Sequence, residues 1–147
     1  MNDKYELFFE VIKYYEGFRA EPYRDSVGVL TIGFGRTMGD LHSTTTPEIE
    51  KQWVLQHAEK LNGQLNNLIV PRMNAYQMAA LLSFTYNLGT GSLSRSTLRK
   101  LINQNSINRA GDEFLKWSKA GGNVLPGLVK RRMTEYVLWK NSKLLLF

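Results

Sequence analysis

Apolar residues recur at helical spacing over most of this chain, and the pattern divides it into a series of predicted helices. A first helix is expected over residues 3–15, where the apolar positions share one face. Thr46 and Pro47 form a strong second helix start, because threonine caps a helix and proline favours its first position. That helix should end near Asn62 or Asn67. We expect its apolar stripe to consist of Ile49, Trp53, Ala58, Leu61, Leu65 and Leu68.

The most apolar helical segment lies in the second half of the chain, over residues 74–87. Asn74 and Gln77 have the spacing of a capping box, and the segment after them is apolar nearly all round. Such a helix is expected to form the core of a helical lobe. The remaining patterns predict shorter elements around it: helices near residues 95–103 and 107–117, a loop over 121–126 and a last helix over about 127–141.

Between the first two helices, alternation of side chains replaces helical spacing. Residues 22–37 are rich in β-branched and aromatic side chains, which is typical of strands. Residues 25–28 supply one turn, Gly33 and Gly35 mark a second, and a polar loop is expected over 38–46. The sequence therefore predicts an α+β fold that is predominantly helical. A small β-hairpin lobe would be joined by a long helix to a larger helical lobe, with a cleft between them.

Composition narrows the class of protein. A chain of 147 residues, 43% of them hydrophobic, can bury a sizeable core and has the usual size of one domain. The lack of cysteine excludes a disulfide scaffold and a cysteine-based zinc site, and His42 and His57 are too few and too separated to indicate a metal site. No segment resembles a signal peptide or a membrane span, so we expect synthesis in the cytoplasm and no stable membrane anchor.

The net charge of +6 favours a polyanionic partner, whether nucleic acid, anionic lipid or an anionic cell wall. The basic residues are scattered rather than arranged in a stripe, and no nucleic-acid-binding motif accompanies them. Nucleic acid is therefore not the expected partner.

The strongest candidate chemistry lies around the predicted hairpin. Glu16 stands at the end of the first helix, Asp25 at the entry of the hairpin and Thr31 within it. A glycosidase needs one carboxyl group to protonate the leaving oxygen and a second to activate water or attack the sugar. A hairpin directly after a helix end can direct both carboxylates into one space. Taken alone this spacing is a weak signal, and an ordinary surface glutamate is the alternative for Glu16.

The order of the motifs strengthens the hypothesis. The chain carries a Glu-Gly pair at 16–17, Tyr-Arg-Asp at 23–25 and Thr-Ile-Gly-Phe-Gly at 31–35, so that Asp25 follows Glu16 by nine residues and Thr31 follows Asp25 by six. These motifs resemble the signature of the phage-type lysozymes, glycoside hydrolase family 24. Residues 83–89, 96–98 and 125–132 are similar to segments of the small phage endolysins of that family. The resemblance covers nearly the whole chain in order.

The resemblance implies a lysozyme-like fold and a role for each matching residue. The whole chain, 1–147, would be one domain, with a β-containing lobe over about 16–46 and a helical lobe over about 68–147 that includes the N-terminal helix. Glu16 matches the general acid of the family. Asp25 matches the carboxylate that activates or stabilises the incoming water, and Thr31 matches the hydroxyl that holds this water. The usual outcome in the family is inversion, which makes Asp25 a base rather than a nucleophile.

The resemblance also suggests residues that contact the substrate. Tyr86, Asn87 and Ser96 match positions that line the cleft, and Thr37 ends the hairpin where a sugar would pass. Arg36 replaces the histidine that many family members carry, and it stays charged at all accessible pH values. It could bind a substrate carboxylate or form an ion pair with an acidic residue. For Tyr86 the alternative is packing in the core.

Members of the family typically place an arginine of the helical lobe against the catalytic glutamate. Arg131 and Arg132 are the candidates here, and the alternative for each is a solvated basic helix face. Such a partner matters because a neighbouring arginine lowers the pKa of a carboxyl group, whereas burial raises it.

The expected function is that of a muramidase endolysin, which hydrolyses the β-1,4 bond between N-acetylmuramic acid and N-acetylglucosamine of bacterial peptidoglycan without a cofactor or metal. By resemblance it would act as a monomer, accumulate in the host cytoplasm and reach the wall through a holin-type membrane lesion. The alternative is a non-enzymatic cationic disruptor of membrane or wall that acts through the basic C-terminal helix.

Overall fold

The computed structural model describes residues 3–37 and 43–147, which form helices and two small antiparallel sheets. The part of the predicted polar loop that contains His42 lies outside these residues. In chain order the elements are α1 Lys4–Glu16, β1 Arg19–Arg24, β2 Leu30–Gly33, β3 Arg36–Thr37, α2 Pro47–Leu68, α3 Ala75–Leu88, α4 Thr90–Ser94, α5 Thr97–Asn103, α6 Ile107–Phe114, β4 Lys119–Ala120, β5 Asn123–Val124 and α7 Pro126–Asn141.

Helix α3 is the centre of the helical lobe, as the sequence predicts. Every residue from 78 to 85 is buried, because α1, α2 and α7 all pack against it. Asn74 accepts a hydrogen bond from the backbone of Gln77, and the Gln77 side chain accepts one from the backbone of Asn74. This capping box fixes the helix start and satisfies two backbone donors that the helix itself leaves unpaired.

Helix α2 is the long connection between the lobes, and Thr46 caps it at the predicted place. The expected apolar stripe is wrong at its first residue. Ile49 is 58% exposed, while the next residue, Glu50, is fully buried. The buried stripe is therefore Glu50, Val54, Ala58, Leu61 and Leu65. A carboxylate takes the first core position because an arginine of the sheet is there to pair with it.

The small lobe is a three-stranded sheet in the order β1-β2-β3. Thr31 of β2 lies between Tyr23 of β1 and Thr37 of β3, so these three side chains share one face. Ile32 and Arg36 are paired on the opposite face. The turn expected at residues 25–28 is present, with the Gly28 N–H donating to the Asp25 carbonyl at 3.0 Å.

Arg36 and Glu50 join the sheet to α2. Nε and Nη2 of Arg36 each donate to one Glu50 carboxylate oxygen at 2.8 Å, and Thr45 Oγ1 donates to Oε2 at 2.7 Å. Gly33 completes the contact, since a Cβ added there would overlap the Glu50 side chain, and its φ of +66° favours glycine. Arg36 was predicted either to bind a substrate carboxylate or to form an ion pair with an acidic residue, and the structure shows the ion pair.

The C-terminal half departs from the predicted boundaries in its shortest elements. The short helix α4 occupies residues that were not expected to be helical, and α6 ends at Phe114 rather than near 117. The expected loop over 121–126 contains the turn of a two-stranded hairpin, β4–β5. In the described part of the chain, none of the helices combines the length and apolar character that a bilayer crossing requires.

The last residues of the chain lie along α1. Thr134 Oγ1 of α7 donates to the Leu145 carbonyl at 2.6 Å, and the Phe147 N–H donates to the Tyr15 hydroxyl at 3.2 Å. The same two side chains meet directly, with 2.7 Å between the Tyr15 and Thr134 hydroxyl oxygens. The end of α1, where Glu16 stands, is thereby held against α7.

We expect Glu50→Gln to reduce the free energy of unfolding by about 3 kcal/mol at pH 7, because it leaves the guanidinium of Arg36 without its buried counter-ion. The hydrogen bonds from Arg36, followed by that from Thr45, lower the pKa of Glu50 although burial opposes this shift. The ion pair therefore stabilises the folded state above the unfolded-state pKa of about 4.3, and this contribution is lost as pH falls through the lower folded-state value.

Urea denaturation from pH 3 to pH 7 measures this effect. The difference between wild type and Glu50→Gln should shrink steadily below about pH 4. Glu48→Gln, an exposed position in the same helical turn, serves as the matched control and should change stability by less than about 0.5 kcal/mol. A difference for Glu50→Gln that stays constant with pH would contradict the assignment.

Candidate active site

Glu16 is the last residue of α1, and its carboxylate meets an arginine of the C-terminal helix. Arg131 Nη1 donates to Glu16 Oε2 at 3.4 Å, although 115 residues separate them along the chain. The Arg131 side chain is 4% exposed and that of Glu16 is 26% exposed, so one face of the carboxyl group stays open to solvent. Of the two arginines that the sequence left as candidates, Arg131 is the partner of Glu16.

The turn between β2 and β3 lies against the Glu16 carboxyl group. A Cβ added to Gly35 would lie 3.5 Å from the carboxyl carbon, so glycine allows the backbone to approach closely. Tyr86 of α3 donates its hydroxyl proton to the Phe34 carbonyl at 2.8 Å. One hydrogen bond from the helical lobe thus holds the middle of this turn, and the Tyr86 hydroxyl is occupied by it.

Asp25 stands where β1 ends, and the turn fixes one of its carboxylate oxygens. Oδ1 accepts from the backbone N–H groups of Val27 at 3.0 Å and Val29 at 2.8 Å. Within the described residues, Oδ2 has no hydrogen-bond partner. The side chain is therefore held in one orientation with an oxygen available as a base.

Tyr23 connects the three residues predicted to be catalytic. It is the direct neighbour of Thr31 across the sheet. Burial raises the pKa of Tyr23, and the nearby negative charges of Glu16 and Asp25 raise it further. The tyrosine is therefore within electrostatic range of both carboxylates. Thr31 itself is almost fully buried, and its hydroxyl donates to the Val29 carbonyl at 2.9 Å.

A depression of about 320 Å³ opens beside Glu16 and Arg131, and Asn87 lines it from the end of α3. The Oδ1 atom of Asn87 is buried and accepts no hydrogen bond from the described residues. Leu125 and Leu128, at the start of α7, form its apolar side. Asn87 thus brings to the edge of this depression a buried amide oxygen to which none of the described residues donates.

Other residues predicted to contact the substrate lie elsewhere. Thr37 is exposed and shares the sheet face of Thr31, whereas Arg36 lies on the opposite face in its ion pair with Glu50. Ser96 caps α5, where its hydroxyl accepts from the Arg99 N–H and donates to the Leu93 carbonyl. It lines a depression separate from that of Glu16 and Asn87. The substrate contacts of all these residues stay predictions.

A buried cluster of charges stands behind Arg131, and the sequence reasoning missed it. Arg131 and Arg132 are both buried, so the alternative of a solvated basic helix face is wrong for each of them. Glu135, fully buried, pairs with Arg132, whose Nε lies 2.8 Å from its Oε1. Ser83 of α3 donates to Glu135 Oε2 at 2.5 Å. The spacing of residues 131, 132 and 135 could have predicted this cluster, since side chains three and four residues apart on a helix are neighbours.

Burial raises the pKa of Glu135, while the two guanidinium groups oppose this shift by favouring its charged form. Both arginines lie within 4 Å of its carboxylate, at 3.8 Å for Arg131 Nε and 2.8 Å for Arg132 Nε. Since arginine stays protonated, these two charges favour the charged form of Glu135 against the effect of burial.

A second depression, of about 600 Å³, lies between α1 and α2. Tyr5, Phe9 and Leu55 form its apolar part, and none of the residues predicted for catalysis or substrate binding lines it. The site of interest is therefore the smaller depression, which is lined by Glu16 and Arg131.

Comparison with known proteins agrees with this geometry. The phage lysozyme family profile matches residues 13–135, which include Glu16, Asp25, Thr31 and Arg131. The chain belongs to the phage lysozyme family. Membership confirms the predicted resemblance and the predicted enzyme class, that of the glycoside hydrolases.

Curated relatives of the chain are phage endolysins. It is 36% identical over 133 residues to an endolysin of Bacillus phage B103, a match that covers 88% of this chain and 51% of that protein. The chain thus spans about half the length of that relative. It is 38% identical over 122 residues to a SAR-endolysin of bacteriophage PS119, covering 82% of this chain and 73% of that one.

Solved structures confirm the two-lobed lysozyme-like fold. The endolysin from Escherichia coli O157:H7 phage FAHEc1 superposes with a TM-score of 0.85 at 27% identity, covering 94% of this chain and 93% of that one. The muramidase domain of SpmX from Asticaccaulis excentricus gives a TM-score of 0.82 at 26% identity, with 90% and 93% covered.

We expect Tyr86→Phe to lower the free energy of unfolding by about 1–2 kcal/mol, because the carbonyl of Phe34 loses its hydrogen-bond donor. Urea denaturation at pH 7 provides the measurement. Tyr14→Phe is the control, since that exposed hydroxyl makes only a 3.4 Å contact with the Phe147 carbonyl. Equal losses for the two variants would show that the bond to the β2–β3 turn does not stabilise the lobe junction.

Proposed function

We propose that this member of the phage lysozyme family is a muramidase endolysin. It hydrolyses the β-1,4 bond between N-acetylmuramic acid and N-acetylglucosamine in bacterial peptidoglycan. The single observation that carries the proposal is the partly exposed Glu16 carboxyl group, which pairs with Arg131 beside a depression and has Tyr23, the sheet neighbour of Thr31, within electrostatic range.

Glu16 is the general acid in this proposal. Its carboxyl group protonates the glycosidic oxygen as the bond breaks, so that the sugar leaves as a neutral alcohol. The guanidinium of Arg131 supports this role in two ways. It fixes the direction of the carboxyl group, and it stabilises the carboxylate that remains after the proton has left.

Asp25 and Thr31 handle the water. Oδ2 of Asp25, to which none of the described residues donates, accepts one proton of the water. Thr31 Oγ1 accepts a hydrogen bond from the other water proton, because its own hydroxyl proton is donated to the Val29 carbonyl. A water held by two acceptors directs its lone pairs toward the anomeric carbon. Attack from the face opposite to Glu16 inverts the configuration, as expected for a base rather than a nucleophile.

The substrate is held by groups around these three residues. The amide side chain of Asn87, which lines the depression, accepts an N–H of the sugar acetamido group. Thr37 and Tyr86 stand beside the path of the glycan, whereas Arg36 and Ser96 contribute through the structure around it.

The setting of the enzyme belongs to the same proposal. The protein is made in the host cytoplasm, passes through a holin-type membrane lesion and acts on the wall as a monomer. The similarity to endolysins supports this setting, and the net charge of +6 favours adsorption to an anionic wall.

Glu16→Gln and Asp25→Asn should fold normally and lose about 10²–10⁴-fold in turnover, as is typical when a general acid or base is removed. Mass spectrometry of digested peptidoglycan measures the products, and reducing muramic acid ends should form only where hydrolysis proceeds. Glu21→Gln, an exposed carboxylate of β1 between the two, is the matched control and should retain wild-type turnover.

The products also separate the competing hypotheses. Anhydro-muramic ends would replace hydrolysis by a transglycosylase reaction and remove the water-handling roles. Lysis of bacteria by Glu16→Gln without any bond cleavage would favour the cationic disruptor instead.

Asn87→Ala should raise KM for soluble peptidoglycan fragments about tenfold, with a smaller effect on kcat, because the lost hydrogen bond holds the substrate before and during the reaction. Steady-state kinetics on fragments of defined length provide the test, with Asn66→Ala on the exposed face of α2 as the control. An unchanged KM would remove Asn87 from the substrate site.

A further inference from the structure

The proposed reaction gives no role to Glu135, although this buried carboxylate lies close to Arg131. Glu135 is fully buried in α7 and contacts neither the depression nor the hairpin. Its Oε2 accepts from Ser83 Oγ at 2.5 Å and from Arg132 Nη2 at 3.0 Å, and lies 3.8 Å from Arg131 Nε. The hydrogen bonds and ion pairs that the described residues make with this carboxylate thus involve Arg131, Arg132 and Ser83.

Ser83 forms hydrogen bonds with both Glu135 and Arg131. Its backbone carbonyl accepts from Arg131 Nη2 at 3.2 Å, and its hydroxyl oxygen accepts from Arg131 Nε at 3.4 Å. The hydroxyl proton goes to Glu135. Arg131 is thereby held on three sides, which leaves Nη1 to reach Glu16. A guanidinium held in this way cannot rotate away from the acid without breaking several buried contacts.

The charges around the two carboxylates can be counted element by element. Arg131 of α7 faces Glu16, together with the phenol groups of Tyr86 on α3 and Tyr23 on β1. Glu135 is faced by Arg131 and Arg132 of its own helix, and by the Ser83 hydroxyl of α3, while Tyr15 of α1 lies near Arg132. Two guanidinium charges are therefore offset by one buried carboxylate.

We propose that Glu135 is a positioning residue that fixes Arg131 against Glu16 and offsets the positive charge of Arg132. The inference rests on the proposed role of Glu16 as the general acid. A general acid must hold its proton until the bond breaks, and every uncompensated positive charge nearby favours the carboxylate instead. With Glu135 in place, Arg131 orients Glu16, and the positive charge of Arg132 adds little to the electrostatic potential at the Glu16 carboxyl group.

The test is the alkaline limb of the pH profile of kcat/KM, measured as release of reducing ends from soluble peptidoglycan fragments, since loss of the acid's proton sets this limb. In Glu135→Gln the limb should move to lower pH by about one unit, the size expected when a charge on the order of 10 Å away is removed at an effective dielectric of about 20. In Arg132→Met it should move to higher pH, because a positive charge is lost. The double variant should return close to the wild-type limb.

Glu113→Gln is the matched control. It removes a largely buried carboxylate of the same lobe that pairs with Lys116 and not with Arg131. Its limb should coincide with that of wild type. The same series is followed by ¹³C NMR of the Glu16 side-chain carboxyl group, whose titration midpoint should move in the same directions without any turnover.

Opposite shifts in the two single variants with recovery in the double variant support the proposal. Loss of activity without movement of the limb in any variant would overturn it, because a role in packing alone lowers turnover at every pH. If Glu135→Gln does not fold, the shift in Arg132→Met and its reversal in the double variant decide the question. Absence of cleavage by wild type would refute the muramidase assignment instead, and the NMR titration would still test the coupling.

Discussion

The buried positive charge of Arg131 is the constraint on which the site depends. A guanidinium group removed from water costs several kcal/mol unless acceptors surround it, and here they come from three helices. Glu16 supplies one from α1, Ser83 others from α3, and Glu135 one from the same helix. The helices must meet in one arrangement for this charge to be satisfied. The orientation of the proposed acid is therefore fixed by the packing of the helical lobe, not by its own short side chain.

A second buried pair holds the other side of the cleft. The sheet of the small lobe has strands of six, four and two residues, which is little for independent stability. The ion pair of Arg36 and Glu50 joins it to α2, and the Tyr86 hydroxyl joins its last turn to α3. Each contact replaces apolar packing that so small a sheet cannot provide. The two lobes are thus positioned by a few polar contacts at their junction.

Local signals in the sequence predicted the local structure well. Thr46, Asn74 and the turn after Asp25 act through neighbours in the chain, so spacing alone revealed them. Contacts over long separations were not visible in this way. Glu50 was overlooked because a carboxylate at a core position is explained only by Arg36, fourteen residues earlier on a strand. The substrate contact of Ser96 stays a prediction from resemblance, and its local role as a helix cap could have been inferred from the residues that follow it.

The Arg36–Glu50 pair also has an evolutionary consequence. Glu50 occupies the space that a side chain at position 33 would need, and its carboxylate is shared by Arg36 and Thr45. A side chain at position 33 overlaps Glu50, a change at position 36 or 50 leaves the charge of the partner unpaired, and a change at position 45 removes a hydrogen bond from Glu50. We therefore expect positions 33, 36, 45 and 50 to vary together among related sequences. Sequences with another residue at position 36 should also carry other residues at positions 33, 45 and 50.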